Sequence, residues 1–249
     1  MNLHSETWGR GRRLVFVHGF TQTGRTWRPI AERFAEGYEV VLVDAPGHGG
    51  SADFEVDLAA GAELLGAAGG RATYLGYSMG GRLALHLALS RPDVVERLVL
   101  IGATAGIDDP HDRAARRRAD DELAATIERD GVRAFIDRWL ENPLFARLPA
   151  DTAALSERRR NSVSGLASSL RLAGTGAQEP SWDRLHALAM PVLVLAGEHD
   201  EKFRALGERL ADSIGANARF ETVPDAGHPA HLERPDAVAE QVERFLAST

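Results

Sequence analysis

Three residues of this chain have the types and settings that activation of a hydroxyl group requires. Ser78 lies in Gly76-Tyr77-Ser78-Met79-Gly80, between an apolar run over residues 72–75 and a helix-like run over residues 82–89. A serine so placed sits on a tight strand-to-helix turn, a nucleophile elbow, where flanking glycines spare the backbone a side-chain clash. Its hydroxyl then projects from the sheet close to the positive end of the new helix. Alone, a serine hydroxyl is a poor nucleophile and a poor base; it needs a histidine to take its proton and a carboxylate to orient that histidine. Asp200, in Gly197-Glu198-His199-Asp200, follows the apolar run 192–196, and His228, in Asp225-Ala226-Gly227-His228, follows the run 220–223. Other readings stand beside these. The elbow could be a glycine-rich turn with a surface serine. Asp200 could cap the helical run that starts at Glu201, and Glu198 and Glu201 are rival acids. Residues 102–107, after the run 98–101, hold no acid at all.

Such a site also needs donors for a developing oxyanion. The backbone N–H of Met79, directly after the serine, is one; the loop His18-Gly19-Phe20 after the first core strand supplies the other, at Phe20. His18 is read as shaping this loop rather than moving protons, and His231 as a group behind the site or on the surface. Asp44-Ala45-Pro46-Gly47-His48-Gly49 reads as a glycine-rich turn after the second core strand. Its His48 has no evident partner in sequence and is read as structural.

The elements that must position these residues are legible as alternation. Short apolar runs at 14–17, 40–43, 72–75, 98–101, 192–196 and 220–223 read as strands, with helices expected over 27–36, 56–68 and 81–90. Runs of nearly continuous Val and Leu are buried on both faces, as in a parallel sheet covered by helices. Right-handed crossovers then give a doubly wound α/β fold with its site at the carboxyl ends of the strands. Residues 106–186 break the alternation with helical pattern rich in Arg, Asp, Glu and Ala. The expectation is a core of residues 1–105 and 187–249 with a helical lid, 106–186, inserted.

Composition bounds the rest. A chain of 249 residues suits one α/β domain with an insertion. A formal charge of −7 argues against a nucleic-acid partner. The absence of cysteine excludes disulfides, thiol catalysis and cysteine metal sites. The histidines lack His-x-x-Glu-His-type spacing, so no metal or organic cofactor is expected. The polar first thirteen residues are not a secretory signal, and no segment approaches the ~18 apolar residues of a membrane span. A cytoplasmic enzyme with no membrane insertion is therefore expected, a monomer or homodimer. Of the 29 basic residues only Lys202 is lysine, so the abundance of arginine is itself discounted as a clue.

These motifs resemble the α/β-hydrolase superfamily over nearly the whole chain, and a narrower family within it more closely. His18-Gly19-Phe20-Thr21-Gln22-Thr23-Gly24-Arg25-Thr26-Trp27 and the elbow running on to Arg82 resemble the 2-succinyl-6-hydroxy-2,4-cyclohexadiene-1-carboxylate synthases, pyruvate-releasing lyases of menaquinone biosynthesis. So do Trp139 with Pro143-Leu144-Phe145, Arg160-Asn161 with Gly165-Leu166, and Ser169-Leu170-Arg171 with Gly174-Thr175-Gly176. The last pieces are Asp200-Glu201-Lys202-Phe203 and Gly227-His228-Pro229-Ala230-His231-Leu232-Glu233. The resemblance implies Ser78, Asp200 and His228 as the triad. It implies Tyr77, Arg82, Trp139, Arg160 and one arginine of 116–118, with spacing favouring Arg116, as contacts to a small polycarboxylate. The rival activity is a serine hydrolase of esters or carbon–carbon bonds using the same triad; a ligand-binding module without turnover is a further alternative.

Overall fold

The computed structural model describes residues 2–149 and 154–248. Its apolar runs become the strands β2 (Arg12–Val17), β3 (Tyr38–Val43), β4 (Ala72–Tyr77), β5 (Val95–Ile101), β6 (Val192–Gly197) and β7 (Ala218–Val223), with β1 (Ser5–Gly9) before them. The sheet runs β1-β3-β2-β4-β5-β6-β7. Every neighbouring pair is parallel except β1 with β3. β1 was not expected from the sequence. Its Ser-Glu-Thr-Trp-Gly has no apolar run because it is an edge strand with one face open to solvent.

β4 and β6 are buried throughout, and β2, β3 and β5 over their carboxyl-terminal halves, because both faces are covered there; β7, Ala-Arg-Phe-Glu-Thr-Val at the other edge, is only half-buried before Val223. Val15 and Val17 point into one core with Leu65, Leu83, Leu87 and Leu210. Leu14 and Phe16 point into the other, with Trp27, Ile30, Val238 and Phe245. The covering helices are α1 (Arg28–Ala31), α2 (Leu58–Gly69), α3 (Met79–Ser90), α7 (Glu201–Ile214), α8 (Ala230–Glu233) and α9 (Pro235–Ala247). The helix expected over 27–36 is instead a 3-10 turn (Gly24–Trp27), the single turn α1 and a second 3-10 turn (Glu32–Phe34). Pro29 lies in the first turn of α1, where its missing N–H costs no helical bond, and the three short turns bring Trp27, Ile30 and Phe34 onto the sheet. α2 starts at Leu58 because Asp57 caps it, accepting from Ala60 N at 2.8 Å.

Between β5 and β6, the described residues form helices and no strand: α4 (Pro110–Trp139), α5 (Leu155–Arg158) and α6 (Val163–Ala173). α4 bends at Gly131, where φ is 78°. Ala124, Ile127, Phe135 and Ile136 of α4 and Leu166, Ala167 and Leu170 of α6 share a third, smaller core, which also receives Phe20 from the loop after β2. Among the described residues no helix is long and apolar enough to cross a membrane.

Candidate active site

β4 ends at Tyr77 and α3 begins at Met79, so Ser78 is the whole of the turn between them. It takes φ 50° and ψ −109°, a conformation side chains rarely adopt. The glycines allow this by close approach. A Cβ on Gly76 would stand 2.4 Å from the Gly80 carbonyl oxygen, and one on Gly80 would stand 2.2 Å from the Val17 carbonyl oxygen. The strain therefore resides in the serine, while the glycines keep the helix pressed against the strand ends.

His228, after β7, is buried, and its Nδ1 lies 2.7 Å from Asp200 Oδ2. A carboxylate can only accept, so Nδ1 carries the proton and Nε2 is left as the basic nitrogen. Asp200 fills both roles read from the sequence: its Oδ1 also accepts the Phe203 N–H of α7 at 3.3 Å, capping that helix. The rival acids lie elsewhere. Glu198 accepts the Asp225 N–H at 2.8 Å, and Glu201 is exposed in the first turn of α7. Phe203 and Tyr77 pack on the His228 ring with centroids 4.3 and 5.3 Å away.

Ser78 and His228 face a cavity of about 890 Å³, its mouth included, roofed by the helical segment. Phe20, Met79, Tyr77, Arg82, Arg116 and Trp139 line it, as does Arg158. Among the arginines 116–118 only Arg116 reaches it, held by Asp120 at 2.8 Å. Arg82 is buried and donates to the Ala173 carbonyl at 2.8 Å and to Gln178 at 3.2 Å. Burial lowers its pKa to about 10, with a smaller contribution from Arg116, so it stays cationic at neutral pH. Burial likewise lowers Arg158 to about 10. Its Nη1 donates to the Thr21 hydroxyl.

Arg160 is not brought to this cavity. It is exposed, sits 3.7 Å from Glu157, and lines a separate cleft with His4, Glu6, Arg25 and Asp44. The chain carries three consecutive arginines at 158–160, and α5 ends at Arg158. The last residue of α5 points inward at Arg158, and the turn that follows carries Arg160 out, a difference that the motif match at Arg160-Asn161 does not resolve. Gln22 and Lys202 also line the cavity without having been singled out in sequence. Lys202 had a signal: it is the only lysine, two residues past Asp200. His231 is not at the surface. It is buried between Trp27 and Tyr77, with centroids 4.4 and 4.2 Å away.

The loop bearing Phe20 is braced by the two histidines read as structural. His18 Nε2 accepts the Ala45 N–H at 2.9 Å, and His48 Nε2 accepts the Thr21 N–H at 3.2 Å. Burial holds both neutral, His18 at about 4 and His48 at about 3.

A profile of the alpha/beta hydrolase family matches residues 14–241. The chain belongs to that family. Within it, the chain is 35% identical, over 94% of its own length and 93% of the relative's, to 2-succinyl-6-hydroxy-2,4-cyclohexadiene-1-carboxylate synthase of Salmonella paratyphi C (strain RKS4594). The synthase of Salmonella typhimurium (strain LT2) is 34% identical over the same shares. Among solved structures, MenH from S. aureus superposes with a TM-score of 0.90 at 30% identity, covering 98% of this chain and 97% of that one. A thermophilic esterase from Thermogutta terrifontis, with malate bound, reaches a TM-score of 0.82 at 25% identity, covering 98% and 92%.

Proposed function

We propose that this alpha/beta hydrolase is a lyase that eliminates pyruvate from 2-succinyl-5-enolpyruvyl-6-hydroxy-3-cyclohexene-1-carboxylate, giving 2-succinyl-6-hydroxy-2,4-cyclohexadiene-1-carboxylate. Synthases of that name match nearly the whole chain. The observation that carries the reading is the cavity itself: Ser78 and the carboxylate-oriented His228 share its walls with Arg82, Arg116 and Arg158. The substrate bears three carboxylates, on the ring, the succinyl chain and the enolpyruvyl group. Guanidinium groups hold carboxylates through paired N–H donors. An ordinary ester offers these guanidinium groups no carboxylate to hold. Gln22 Nε2 and Trp139 Nε1, buried without a protein partner among the described residues, are further donors for substrate oxygens.

In this reading Asp200 fixes His228 with Nε2 basic, and His228 takes the proton of Ser78. The seryl oxygen removes the ring proton next to the succinyl ketone, so serine acts as a base and no acyl-enzyme forms. The enolate oxygen is received by the N–H groups of Phe20 and Met79. Its electrons move through the ring double bond, form the second double bond and expel the enolpyruvyl oxygen, which leaves as enolpyruvate and becomes pyruvate on protonation. Tyr77, packed on His228, and Trp139 shape the walls. Residues 106–186 act as a lid over a core of 1–105 and 187–249, and the work of such an enzyme, on a free small molecule, is cytoplasmic.

The test is pyruvate release from freshly generated substrate, with the conjugated diene followed by absorbance. Ser78→Ala should lower the rate by about 10²- to 10⁴-fold, as expected when a positioned proton-transfer group is lost, while substrate still binds. Retention of most of the activity by Ser78→Ala would refute the assignment. Wild-type turnover of p-nitrophenyl esters with a burst, and no pyruvate release, would return the chain to the ester hydrolases.

A further inference from the structure

Thr21, directly after the proposed oxyanion donor Phe20, is fully buried and takes φ 69°, left-handed for a β-branched residue. All three of its polar groups are gripped. Its N–H donates to His48 Nε2 at 3.2 Å, its carbonyl accepts from Asn161 Nδ2 at 2.7 Å, and its hydroxyl accepts from Arg158. The partners are themselves fixed. His48 Nδ1 lies 3.0 Å from the Pro46 carbonyl, which can only accept, so Nδ1 bears the proton and Nε2 must be the acceptor. Asn161 Oδ1 accepts the Gly49 N–H at 2.9 Å, and its Nδ2 donates a second time, to the Arg158 carbonyl at 2.9 Å.

The neighbouring donors are also taken. Gly19 N–H is bound to Gln22 Oε1 at 3.1 Å and Thr21 N–H to His48. Among the described residues Phe20 N–H makes no such bond, and Phe20 lines the cavity. Two of the three grips, Asn161 and Arg158, come from the helical segment; the third comes from the turn after β3. These two parts also meet backbone to backbone: a Cβ on Gly165 would stand 2.4 Å from the Gly47 carbonyl oxygen, and one on Gly47 2.5 Å from that of Gly165.

We propose that Asn161 and His48 are positioning residues that hold Thr21 left-handed and thereby aim the Phe20 N–H, so that the oxyanion hole is complete only while the helical segment is docked. This rests on the reading of Phe20 and Ser78 given above. It makes lid docking and transition-state stabilisation one event: an undocked segment removes the partners of the Thr21 carbonyl and hydroxyl, and the strained conformer relaxes. Substrate held by Arg158 would favour the docked state, since the same guanidinium grips Thr21.

The experiment compares Asn161→Asp, which keeps an acceptor for Gly49 N–H but loses the donor to Thr21, with His48→Phe, which fills the space without an acceptor, and His48→Gln, whose Oε1 can stand in for Nε2. Steady-state pyruvate release and hydrogen exchange of the peptide spanning residues 18–27 are measured on each. Asn161→Asp and His48→Phe should lower kcat by about 10²-fold, the usual effect of losing one oxyanion donor. KM should stay within about threefold, and amide exchange in the 18–27 peptide should rise. His48→Gln should recover most of kcat. If His48→Phe does not fold, Asn161→Asp carries the test. Wild-type kcat and exchange in folded Asn161→Asp, with Ser78→Ala inactive, would overturn the clamp while leaving the catalytic reading intact. An active Ser78→Ala would instead overturn the reading on which the clamp rests.

Discussion

At the scale of single residues, the site works by giving side chains two duties. Asp200 orients His228 with one oxygen and caps α7 with the other, so the acid cannot rotate without uncapping a fourteen-residue helix. Arg82 anchors the end of α6 through the Ala173 carbonyl while lining the cavity, which ties the helical segment to the helix that follows Ser78. Arg116 differs, for its side chain is 40% exposed and reaches the cavity from the rim, while its one partner among the described residues, Asp120, is buried and also accepts the Gly176 N–H at 3.1 Å. Arg116→Ala should therefore raise KM by about 10- to 100-fold, the loss of one charge-assisted hydrogen bond worth about 1.5–3 kcal/mol. Arg160→Ala should leave KM within about twofold, because Arg160 lies outside the cavity. Steady-state kinetics on the pair checks this; equal effects from both would mean that the substrate reaches beyond the cavity described.

At the scale of elements, the contact between α6 and the turn after β3 has no room for a side chain. Gly165 sits in the first turn of α6, and its Cα faces the carbonyl of Gly47, where φ is 78°. Gly165→Ala would force the two apart by several tenths of an ångström at least, since a real Cβ does not approach an oxygen to 2.4 Å. In an ordinary helix the same substitution would stabilise by up to ~1 kcal/mol. Here a melting temperature lowered by several degrees is expected instead, together with a fall in kcat/KM of at least about tenfold. Differential scanning fluorimetry and initial rates read both, and a stabilised, fully active Gly165→Ala would show that the helical segment does not need this contact. The glycines matched at 174 and 176 have a similar origin: Cβ atoms there would stand 2.6 Å from an Asp120 carboxylate oxygen and 2.3 Å from the Arg117 backbone nitrogen.

At the scale of the whole molecule, three histidines are folded into the interior without charge. Burial lowers His18 to about 4 and His48 to about 3, and pushes His231 well below the ordinary histidine range. In the unfolded chain each titrates near 6.5. Between that value and about 4 the unfolded state binds protons that the native state refuses, so stability is complete above pH ~6.5 and is lost as pH falls through this window. Each histidine steepens the loss by up to about 1.4 kcal/mol per pH unit. The melting temperature should be level from pH 8 to 7 and decline steeply from pH 6 to 4.5, and His48→Gln should make the decline shallower. A melting temperature independent of pH across that range would mean these side chains are hydrated or charged in the native state.

The sequence by itself determined the elements whose cause is local. Apolar runs mark strands packed under helices; β2 to β6 lie where those runs are rich in Val and Leu, and β7 where the weaker run Phe-Glu-Thr-Val lies. The elbow, Asp200 and His228 were legible because each stands at the end of such a run, where an α/β sheet gathers its strand ends. β1 was hidden, since an edge strand with one open face needs no apolar run, and the 27–36 segment breaks into short turns as Trp27, Ile30 and Phe34 are seated on the sheet, where packing outweighs local propensity. Only the tertiary structure placed Arg158 rather than Arg160, and Arg116 among 116–118, at the cavity, because successive residues of a helix or turn point in different directions and sequence matching does not resolve that phase across an irregular connection. It alone also supplied partners for His48 and Asn161, which lie 27 and 140 positions from Thr21. A hydrogen bond between such distant residues exists only once β2, the turn after β3 and the helical segment have been folded against one another, and no local pattern records it.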